Sequence, residues 1–115
     1  METHNMKLKT KYFNCMKNGT KKIELRLNDE KRQKIKIGDE IIFEEMAEKP
    51  KEIRTKVVDL YHEDSFEELI NKFEISLFAD KYTTKSQLLA TLNEIYPEDK
   101  QREYGVVGIR IELVK

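Results

Sequence analysis

The closing stretch of the chain, Tyr104 to Val114, limits the fold more than any other segment. Val107, Ile109, Ile111 and Leu113 alternate with Gly108, Arg110, Glu112 and Val114, the two-residue period of a strand with one face on a core. Gly105 and Gly108 within it suggest a bulge, or a close approach by another backbone or a ligand. Four other segments read as strands. His4 to Leu8 forms a short opening strand, and Ile23, Leu25 and Leu27 alternate with Lys22, Glu24 and Arg26. A strand is expected over 40–44, after a Gly38-Asp39 hairpin or barrel-corner turn. A long one is expected over 53–61.

Between these strands the period changes from 2 to 3.6. Thr10 can cap a helix running through Asn18, with Tyr12, Phe13 and Met16 inward and Gly19 ending it. Ser65-Phe66-Glu67-Glu68 has the form of a capping box, followed by Phe66, Leu69, Ile70 and Phe73 at helical spacing. Thr84-Lys85-Ser86-Gln87 opens a helix with Leu88, Leu89, Leu92, Ile95 and Tyr96 inward, and Pro97 stops it. Five strands and three helices without strict alternation indicate a single α+β domain over 1–115. The simplest arrangement is a small mixed β-barrel of five to six strands with about three helices over its open edges.

The bulk properties exclude several classes. With 115 residues and one cysteine, the chain builds one core and no internal disulfide, which fits a reducing, cytoplasmic compartment. No run approaches the ~20 apolar residues of a membrane span, and the start lacks a secretory core segment. Metal-ligand spacing is absent among His4, His62 and Cys15, and no cofactor motif occurs, so neither metal nor cofactor is expected. Net charge is zero but uneven. Residues 1–36 hold 11 Lys/Arg against 4 Asp/Glu, and the remainder holds 11 against 18. A basic third of this kind suits an anionic partner. The lack of tryptophan argues against a long channel of stacked bases.

The residues that carry chemistry cluster in Gly19-Thr20-Lys21-Lys22-Ile23-Glu24-Leu25-Arg26. On a strand, Glu24 and Arg26 share a face about 7 Å apart. Lys21 has the wrong parity for that face unless the glycine leaves it in a turn. Arg26 offers a planar fork for phosphate or a guanine edge, and Lys21 a point charge. Glu24 could hold Arg26, or accept a hydrogen bond from a base amino group. The bland alternative is a salt-bridge ladder on an outer wall. Lys7, Lys9, Lys11, Lys17 and Lys22 could add phosphate contacts. Tyr104, beside Gly105 and ahead of Arg110, could stack a base or fill a barrel corner.

The spacing Gly-x-Lys-x-x-Glu-x-Arg resembles the signature of the ASCH family, small domains of PUA-like fold. The order of helix, motif strand, Gly38-Asp39 turn, Ser65 helix and closing strand resembles that family too. The resemblance implies a PUA-like barrel, RNA or a nucleotide as partner, and a cleft at Lys21, Glu24 and Arg26. One ASCH branch deacylates an acylated cytidine nucleoside with a lysine and a threonine nucleophile in this motif. Lys21 matches that lysine, but Glu24 stands where the threonine would be, so the hydroxyl nucleophile is missing. A metal-independent hydrolase on RNA remains the alternative, with Lys21 as electrostatic stabiliser and Glu24 as general base. Oligomeric state is not fixed by these features.

Overall fold

The closing strand is buried on both faces, and the rest of the sheet is arranged around it. The computed structural model describes residues 1–114, so Lys115 of the expected domain lies outside the described residues. Its strands are β1 (Thr3–Lys9), β2 (Ile23–Leu27), β3 (Glu40–Met46), β4 (Glu52–Glu63) and β5 (Val106–Leu113), and its helices α1 (Thr10–Lys17), α2 (Phe66–Ile70), α3 (Lys85–Ile95) and α4 (Glu98–Tyr104). They form one five-stranded sheet in the order β1-β3-β4-β5-β2. β1 and β3 are parallel, with Met6 opposite Phe43, and the other pairs are antiparallel. The expected α+β architecture therefore forms, the small barrel taking the shape of a five-stranded half-barrel sheet with flanking helices.

Each face of the sheet carries its own core. Val107, Ile109 and Ile111 pack with Phe13, Met16, Ile41, Phe43 and Val57 on the concave side. Val106 joins Ile23, Leu25, Phe66, Leu69, Phe78, Leu88 and Leu92 beneath α2 and α3. Each large side chain removed from water contributes roughly 1.5–3 kcal/mol, so both layers hold the sheet. Gly108 serves the second layer. A Cβ there would stand 3.2 Å from both Ile23 and Leu69 side chains, so its bareness lets α2 sit on the sheet. What approaches Gly108 is a pair of side chains, and the irregularity of the sheet lies in β4 between Val57 and Asp59.

Local signals hold with adjustments. Thr84 and Gln87 form the reciprocal box at the start of α3, and the Ser65 hydroxyl accepts from Glu68 N–H at 3.2 Å. Thr10 is instead the first residue of α1, whose N-cap is Lys9 without a side-chain bond. α2 ends at Ile70, and Phe73 packs beyond it on Tyr61, with ring centroids 4.7 Å apart. α4 is a fourth helix where three were expected. Its one buried residue is Gln101, whose amide donates to Tyr96 O at 2.9 Å and Asn93 Oδ1 at 3.0 Å, fastening α4 to α3. An all-polar helix held by one amide leaves no apolar period to read. Tyr104 consequently ends α4 and does not open the last strand.

The turn before β3 builds a second polar corner. Gly38 takes φ 97°, and Asp39 Oδ1 accepts from Glu2 N–H at 3.1 Å while Oδ2 accepts from Lys36 N–H at 3.0 Å and lies 2.8 Å from His4 Nε2. The His4 contact and these two N–H groups, working against burial, hold the Asp39 carboxyl down at about 2.

Candidate functional site

Lys21 reaches the interior because α1 ends in a left-handed glycine. Gly19 has φ 87°. The Cys15 carbonyl then accepts from both Thr20 and Lys21 N–H at 3.0 Å, and Lys22 N–H bonds Leu77 O at 2.8 Å. The chain turns through these residues before β2 starts at Ile23, so strand parity does not apply to Lys21. Its ammonium lies 2.8 Å from Ile23 O, 2.9 Å from Phe78 O and 3.1 Å from Glu24 Oε1. A lysine ammonium has three hydrogens, and all three face protein acceptors.

Glu24 is the centre of the cluster. Its Oε1 receives Lys21 Nζ and, at 3.3 Å, its neighbour Leu25 N–H. Its Oε2 receives Arg26 Nε at 2.8 Å and Nη2 at 2.7 Å. Lys21 and Glu24 are only 3% and 5% exposed. Burial by itself would raise the Glu24 carboxyl, but Lys21 and Arg26 overcome it and hold the group below its ordinary value. Burial pulls the Arg26 guanidinium down, and Glu24 with the Tyr96 phenol more than restores it. Arg26 Nη2 also donates to Lys7 O at 2.8 Å. β1 and β2 are the two margins of the sheet, so this one guanidinium spans its open side.

The three charges crowd a common hollow. A cavity of about 300 Å³ opens between β1, β2 and α3. Lys21, Glu24 and Arg26 form its polar floor, and Leu8, Tyr12, Phe78, Leu88, Leu92 and Tyr96 its walls. Lys7, Lys9, Met46 and Ile95 line it as well and are exposed, so they stand at the rim. An apolar hollow with a few convergent polar groups has the form of a small-molecule site. A doubly held carboxylate with a lowered pKa is a weak proton acceptor, which disfavours acid–base work by Glu24.

Three sequence-predicted residues lie elsewhere. Lys22 is exposed outside the cavity lining. Tyr104 is half-buried at the end of α4, with Lys100 Nζ 5.9 Å from its ring centroid. Arg110 donates to the Tyr61 hydroxyl at 3.3 Å. None of the three lines the hollow. Tyr96 does, although the sequence marks it only as an inward residue of α3. Among the described residues, one group brings donor atoms close enough for a cation: Glu2, His4 and Asp39, within 4.8 Å of one another. The Asp39 oxygens already accept the hydrogen bonds described above. No helix there is long and apolar enough to cross a membrane.

Geometry of this kind defines a class, the small α+β half-barrel whose edge strands frame a polar-floored cleft. Within it the chain belongs to the ASCH domain family, whose profile matches residues 6–115. Two solved structures are similar over nearly their whole lengths. The crystal structure of hypothetical protein PH0355 is 35% identical, with TM-score 0.85, covering 97% of this chain and 99% of that one. The solution NMR structure of protein PF0455 from Pyrococcus furiosus is 30% identical, with TM-score 0.75, covering 100% and 99%. No curated protein matches the chain.

Proposed function

We propose that this ASCH domain binds RNA or a nucleotide, taking one unstacked base into the hollow while Lys7 and Lys9 meet the phosphate at its rim. The observation that supports this most is the convergence of Lys21, Glu24 and Arg26 beneath an apolar-walled cavity of about 300 Å³. That volume is at the small end for ligand pockets, enough for a base or nucleoside and too small for a duplex. Tyr12 and Tyr96 provide aromatic surface, and the basic N-terminal third supplies attraction to phosphate. Lys21 acts as a positioning residue that fixes Glu24 and the Phe78 loop, and Arg26 meets the ligand. The buried thiol of Cys15 suits the cytoplasm.

Binding of nucleoside monophosphates and short single-stranded RNAs, followed across a salt series, tests this. Affinity should fall with salt, and replacing Lys7 and Lys9 together by alanine should reduce the log–log slope by about two. No binding of either probe at low salt overturns the reading.

A further inference from the structure

Taking the base-binding reading as its basis, we propose that the hollow selects bases presenting a carbonyl oxygen over those presenting an amino group, with Tyr96 as a specificity-determining residue. The reason is that its ionic floor has donors left over and no acceptors. All three Lys21 hydrogens are committed to Ile23 O, Phe78 O and Glu24. Both Glu24 oxygens are already engaged, Oε1 by Lys21 and Leu25, Oε2 by Arg26 Nε with Nη2 in ion-pair contact. Arg26 Nη2 also serves Lys7 O. What remains is Arg26 Nη1, with no carboxylate or carbonyl partner among the described residues, and the Tyr96 phenol. Both side chains line the cavity.

Charge points the same way. Two cations and one carboxylate leave the floor with one net positive charge in a water-poor setting, where it acts strongly. Tyr96 lies against the guanidinium closely enough to help hold its charge, and its hydroxyl, on the lining of the same hollow, can donate to a ligand. A carbonyl oxygen placed over this floor satisfies both free donors. An amino group in that position leaves them unpaired and sets like-signed dipoles face to face, which a desolvated site penalises.

Inosine and adenosine 5′-monophosphates test this, since sugar and phosphate are shared while the 6-substituent changes from oxygen to amino and the adjoining N1 from N–H to a bare nitrogen. Uridine and cytidine monophosphates repeat the change on a smaller ring, and RNA pentamers differing only at a central hypoxanthine or adenine repeat it within a strand. Calorimetry should show the oxo member of each pair binding about tenfold tighter, a difference of ~1.4 kcal/mol. Tyr96→Phe keeps the ring and removes the hydroxyl; it should shrink the ratio severalfold, and an unchanged ratio removes Tyr96 from the proposal. Equal affinities, or an amino preference, in the unmodified protein overturn this selectivity and leave base binding standing. Absence of binding by every probe overturns both. The ratio in the unmodified protein decides the matter even if the variant folds poorly.

Discussion

Glu24 and Asp39 are both buried carboxylates held below their ordinary range, yet the two corners differ in what holds them. Asp39 is bound by two backbone N–H groups and a histidine, all short-range donors that close tightly around it. Glu24 is bound by two long cationic side chains, and all three line a hollow. Burial and a displaced pKa therefore do not by themselves separate a fastening from a site. Donors left without partners beside open space do.

The comparison can be broken first at Glu24. Glu24→Gln leaves Lys21 and Arg26 buried against a neutral group, and urea unfolding should show a loss of roughly 3–5 kcal/mol. If imbalance of charge is the cause, adding Lys21→Met should restore part of that loss; a further, additive loss would refute it. At the second corner Asp39→Ala strands Glu2 and Lys36 N–H, at a cost of about 1–3 kcal/mol. Its acid behaviour sharpens the contrast. With a value of about 2 in the fold against an ordinary 3.8, Asp39 stabilises the protein above its unfolded value and loses that contribution as pH falls through 4 towards 2. Asp39→Asn should flatten this part of the acid limb, read by circular dichroism. The smallest effect belongs to the exposed pair Arg54–Glu40, where Arg54→Ala should change stability by about 0–1 kcal/mol.

Much of this was legible in the chain. Alternation located all five strands, and the box at Thr84 located α3, because both signals are local. Glu24 and Arg26 follow from strand parity alone. Lys21 depended on Gly19, whose positive φ breaks that parity, and only the turn shows where the ammonium lands. α4 was hidden because Gln101, a polar residue, is its anchor. The walls of the hollow were also hidden. They come from β1, β2 and α3, and nothing in short-range pattern says that β1 lies parallel to β3 at the far margin from β2. Tyr104 looked suited to stacking beside Gly105, whereas the tyrosine at the cleft is Tyr96, set there by the packing of α3.

The reach of Arg26 to Lys7 has a consequence for how this molecule meets its own copies. A sheet with two bare margins invites strand addition from a neighbour and, in time, aggregation. Here Arg26 on one margin donates to the Lys7 carbonyl on the other, so one backbone acceptor of the β1 edge is already taken. The latch that shapes the cleft thus also occupies part of a sheet border, and loosening it would free that carbonyl for a neighbouring strand.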